Sequence, residues 1–119
     1  WQESDILAPI LPATLKPFDL RPLGTGAPLP LRGVGPLAGL KLPADAAANW
    51  LHTLEPKPGA TVALTAGDHP ALVLGKHGKG RIAMLALAPL GEDIPGAWWR
   101  SEAGQTITTA ACRLLLNVR

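Results

Sequence analysis

Residues 60–89 read ATVALTAGDHPALVLGKHGKGRIAMLALAP. Three apolar runs, 60–66, 71–75 and 81–88, are separated by Gly67-Asp68-His69-Pro70 and by Gly78-Lys79-Gly80. Each run is short, rich in Val, Ile, Leu and Ala, and bounded by turn formers. That pattern predicts three consecutive strands joined by hairpins.

Downstream, Ser101–Val118 has a different period. Ala103, Ile107, Ala110, Ala111, Leu114, Leu115 and Val118 recur at three and four, which draws one apolar face on a helix. Ser101 suits the N-cap, Glu102 sits in the first turn, and Arg113 and Arg119 lie towards the end where the helix dipole favours cations.

Upstream the signal is weaker. Eight prolines fall between Pro9 and Pro43, and each removes a backbone donor and restrains the residue before it. Residues 4–11 read either as a helical turn capped by Ser4 or as a short edge segment. Residues 19–42 read as an extended, turn-rich excursion with leucines directed inward. Loops of this length are uncommon in a compact domain unless they pack on something. In 44–54, an Ala-rich run favours a helical turn, while Trp50–Leu54 entering Pro56-Lys57-Pro58-Gly59 favours a strand; the latter predicts a short strand at 50–55.

A chain of 119 residues fits one domain with one modest core, and 47% hydrophobic residues indicate a globular polypeptide. No apolar run approaches the roughly 20 residues that span a bilayer. With 11 Lys and Arg against 9 Asp and Glu, the net charge of +2 is too mild to point to nucleic acid. One Cys excludes an internal disulfide and any multi-cysteine zinc site. The chain starts at Trp1 without Met or the apolar core of a signal peptide, which suggests processing or a fragment of a longer protein; the fragment is the reading taken here.

Pro56-Lys57-Pro58-Gly59-Ala60, the strand after it, Pro70-Ala71-Leu72-Val73-Leu74, and Gly78-Lys79-Gly80-Arg81-Ile82-Ala83 together resemble the C-terminal half of class I glutamine-amidotransferase-like domains, including trehalose-utilisation-type proteins. Leu11-Pro12, closing Ser4–Pro12, is similar to a segment midway through such domains. The resemblance implies an α/β, flavodoxin-like half domain over residues 1–119, with hairpin strands at about 60–89 and a helix at about 101–118. It also implies a nucleophilic Cys in a preceding half, and a His-Pro-Glu position that falls here on Ala88-Pro89-Leu90. Ala88 cannot accept a proton and Leu90 cannot orient a base, so the resemblance implies a non-catalytic module. Its partner would be the missing N-terminal half or a second copy.

Candidate sites follow from residue chemistry. Asp68 and His69 form a potential carboxylate–imidazole pair at a hairpin, against the ordinary reading of a solvated tip. Trp98 and Trp99, in a Gly- and Pro-containing loop with Glu92 and Asp93, offer stacking surface for a sugar or a protein. Lys76, His77, Lys79 and Arg81 are interleaved with glycines, but strand on both sides makes a solvated turn, not a phosphate loop. Cys112, mid-helix, reads as a small core or boundary residue, and His52 as half buried. Histidines at 52, 69 and 77 lack metal-ligand spacing, and the Lys neighbours of His77 disfavour a cation. No cofactor or metal is expected, and no catalytic residue is assigned.

Overall fold

A computed structural model of the chain describes residues 4–22, 29–44, 46–48, 50–87 and 102–116, with the backbone alone at 16–22 and 50. Among the described residues the order is seven strands and one α-helix: β1 (Ala13–Pro22), β2 (Leu29–Gly33), β3 (Ala47–Ala48), β4 (Trp50–Pro56), β5 (Thr61–Ala66), β6 (His69–His77), β7 (Gly80–Leu85) and α1 (Glu102–Leu116). A short 3-10 turn, Gly35–Leu37, follows β2.

The expected hairpins are present and tighter than the sequence suggested. Ala66 pairs with His69 and His77 with Gly80, so each loop holds two residues, Gly67-Asp68 and Gly78-Lys79. Gly67 and Gly78 have φ of 56° and 59°. Two-residue hairpins require this left-handed backbone at a central position, and glycine adopts it without steric cost. Pro70 lies within β6, opposite Thr65. It is tolerated because the β6–β7 ladder ends at Leu72↔Leu85, two residues away, so no β7 carbonyl needs its missing N–H.

All paired strands are antiparallel, in a five-stranded sheet of order β3-β2-β5-β6-β7 and a two-stranded sheet β1-β4. This corrects the α/β, flavodoxin-like expectation: the described residues form mainly antiparallel sheet, curled into a half barrel, followed by helix α1. The physical reason lies in the turns. Parallel neighbours need a crossover of a dozen or more residues, and two-residue loops permit only antiparallel ones.

The curl has a covalent cause. β3 belongs to one edge of the large sheet, and only residue 49 separates it from β4. β4 then reaches the far side, where Leu51 bridges Leu87 and the His52 N–H donates to the Ala86 carbonyl at 3.0 Å. One segment thus meets both margins of the sheet, and a flat arrangement cannot satisfy both.

The proline-rich half is more regular than expected. β1 runs through Pro17 as an edge strand, and its register with β4 breaks between Leu15 and Leu20, where the proline falls. Leu31 and Leu37 point inward as anticipated. Gly33 is required by the turn after it, since a Cβ there would lie 2.0 Å from the Leu37 carbonyl oxygen.

Leu51, Leu64, Leu72, Val73 and Ile107 are the largest fully buried side chains, each contributing about 1.5–3 kcal/mol by burial. Ala71, Leu72 and Val73 are buried in succession, so β6 is covered on both faces. The helix lies within the expected 101–118; of its buried residues, Ala103 and Ile107 belong to the expected face and Gly104 does not.

Candidate functional site

The turn that Ser4 caps leads into one wall, Pro9–Pro12. The Ser4 Oγ accepts from the backbone N–H groups of Ile6 at 3.3 Å and Leu7 at 3.1 Å, and its carbonyl accepts from Ala8 at 3.0 Å. Of the two readings for 4–11, the capped turn is the one adopted. Lys57 fastens this turn to the body: its Nζ donates to the Ala8 carbonyl at 2.6 Å and its N–H to the Pro12 carbonyl at 2.9 Å. Pro12 lies against Gly75 so closely that a Cβ on Gly75 would be 2.7 Å from the proline ring.

The opposite wall is the end of α1. Arg81, at the start of β7, donates from Nη1 to the Leu114 carbonyl at 2.9 Å. A cation at a helix C-terminus meets both unpaired carbonyls and the negative end of the dipole.

Between these walls lies a cavity of about 730 Å³, floored by Leu74, Gly75 and Ile82 and bordered by Lys57, Lys76 and Arg81. A second, of about 690 Å³, continues along α1 past Leu37, Thr109 and Arg113. The two share Pro36, Arg81 and Leu114, so they lie side by side, a trough divided where Arg81 reaches the Leu114 carbonyl. Among the described residues its lining contains four cationic side chains and no Asp, Glu, His or Cys.

The residues singled out from sequence lie elsewhere. Asp68 is exposed at the β5–β6 tip; His69 is half-buried as the first residue of β6, not part of the turn. The two make no ion pair with each other. Trp98 and Trp99 lie outside the described residues, as do Glu92, Asp93, Ala88, Pro89 and Leu90. His52 is exposed on β4, where a half-buried position was expected, because its neighbours Leu51 and Thr53 take the inward face. Cys112 is likewise exposed, on the outer face of α1, instead of in the core or at its boundary. Lys76 and His77 are exposed at the end of β6, not in the turn, and Lys79 is exposed in the turn itself, while Arg81 reaches from β7 to the helix. Among the described residues no group of three or more His, Cys, Asp or Glu is placed to hold a metal.

Sequence reasoning missed the parts played by Arg81 and Lys57. Their carbonyl partners lie 33 and 49 residues away, and no spacing rule reaches so far.

Neither a protein-family model nor a curated protein matches the chain. A solved structure, the cytoplasmic protein STM1381 from Salmonella typhimurium LT2, is similar with a TM-score of 0.64 and 19% identity, over 99% of this chain and 47% of that one. At that identity the likeness is one of fold alone. The chain spans about half the length of that protein. Among the described residues, no helix is long and apolar enough to cross a membrane.

Proposed function

We propose that this chain is a non-catalytic recognition or scaffolding module. The trough carries the reading: an apolar floor with a cationic border suits binding, and its described lining offers no thiol, imidazole or carboxylate for covalent or acid–base work. The chemistry-bearing side chains are dispersed, with Cys112 on the outside of α1 and His52, His69 and His77 on strands β4 and β6. Ile6 and Leu116, 80% and 73% exposed, add apolar surface that the remainder of a longer protein or a second copy would cover.

The resemblance of the hairpin segments to amidotransferase-like sequences supplies the test substrate. The chain incubated with glutamine should release no ammonia above the buffer rate. Steady turnover, abolished by Cys112→Ala, would overturn the module reading.

A further inference from the structure

A third, smaller cavity of about 210 Å³ shares Lys57 and Leu11 with the trough. Its apolar wall comes from Ala8 and Leu11 of the N-terminal turn, Ala13 and Leu15 at the start of β1, and Met84 of β7. Ala13 and Met84 are buried, and Leu11 and Leu15 pack against the core, so this wall is fixed by the fold. Thr14, exposed, and Lys57, half-buried, are the polar residues of its described lining and mark its mouth. Ala8 lines this cavity and neither part of the trough. The Lys57 Nζ lies 2.6 Å from the Ala8 carbonyl, which puts the ammonium at the edge of the smaller space. An ammonium carries three donors, and among the described residues that carbonyl is its acceptor, so two N–H groups are left for a ligand oxygen.

We propose that this cavity binds a short monocarboxylate of about hexanoate size, its carboxylate on the Lys57 ammonium and its tail against Leu11, Leu15 and Met84. Size supports the assignment: an apolar cavity of about 150 Å³ holds benzene, and this one admits a somewhat larger occupant. The tail leaves water for a close-packed apolar wall, which gains both hydrophobic and dispersion free energy. The carboxylate meets a charged donor beside that wall, where a charge-assisted hydrogen bond is stronger than in bulk water. An alcohol of equal length keeps the tail and loses the charge pairing, and an amine meets like charge. The inference goes beyond the module reading and does not depend on what the trough binds.

The chain contains a single methionine, so an isotopic label on the Met84 methyl group gives one nuclear magnetic resonance signal from this wall. Hexanoate titrated into the full chain should move that signal to saturation. Hexanol should need roughly tenfold more ligand or worse, and hexylamine should leave the signal in place. Lys57→Gln removes the charge and keeps an N–H for the Ala8 carbonyl; it should weaken hexanoate roughly tenfold and leave hexanol unchanged. Leu15→Trp, at a half-buried position, should fill the space and exclude both ligands. An unchanged circular dichroism spectrum verifies that each variant folds. No saturable shift with hexanoate, equal affinity for hexanol or hexylamine, an unaffected Lys57→Gln, or hexanoate binding that survives Leu15→Trp would each overturn the proposal. Tighter binding of dodecanoate than of hexanoate would overturn it in favour of an open lipid-binding surface. Glutamine hydrolysis tests the module reading separately, and neither result bears on the other.

Discussion

Thr53 sits on β4 at 8% exposure between Leu51 and Leu54, and its Oγ1 is buried with no hydrogen-bond partner. An unpaired buried hydroxyl carries an uncompensated desolvation cost, and a methyl of the same shape does not. Thr53→Val should therefore stabilise the fold by about 1 kcal/mol, read as a higher urea midpoint at unchanged slope. A lower midpoint would show that the hydroxyl has a partner in solution. At this scale, glycine was the informative residue in the sequence. Gly67 and Gly78 announce their turns, because their left-handed backbone is a local property. Gly33 and Gly75 do not announce theirs, because what excludes a side chain there is Leu37 in one case and Pro12 in the other. Those contacts exist only after folding.

Elements were legible where hydrophobic period and punctuation agree. β5, β6, β7 and α1 lie close to the expected runs, and β4 matches the short strand expected at 50–55. β1 and β2 were not legible, since prolines in and around them argue against strand. An edge position and a register break accommodate Pro17, which composition does not convey. The last turn of α1 also meets a distant partner, the Arg81 guanidinium on the Leu114 carbonyl. Arg81→Ala should loosen the last turns of the helix and leave the β5–β6 hairpin intact. Hydrogen exchange would report faster exchange near the C-terminal end of α1 with little change at Leu64, Leu72 and Val73. Uniformly faster exchange across the sheet would show instead that Arg81 supports the whole body.

For the molecule as a whole, the decisive feature is the meeting of β4 with the chain just after β7. Leu51 is fully buried there, bridges Leu87 and belongs to the same core as Leu72 and Ile107. Leu51→Ala should cost about 3 kcal/mol, and unfolding should remain a single transition because both sheets share that core. A loss below about 1 kcal/mol, or a separate early transition for β1 and β4, would show that the two sheets are independent. The flavodoxin-like expectation failed at this scale. It drew on resemblance in the segments around the hairpins, while the two-residue loops of those same hairpins already demanded antiparallel neighbours. The candidate site was legible only in part: the cations at 76 and 81 stood out, but Arg113 was read as a dipole partner and Lys57 as part of a turn.

The order of residues 60–89 by itself determined three strands and their antiparallel pairing, since apolar runs and two-residue glycine turns act over a few bonds. The order of residues 102–116 likewise determined the apolar face of the helix, which is a matter of period. The curl of the sheet, the clamp of Lys57 on the N-terminal turn and the gathering of four cations around one trough were decided by tertiary structure. Each joins groups separated by tens of residues, and only burial of a shared core brings such groups within the few ångströms over which hydrogen bonds and packing operate.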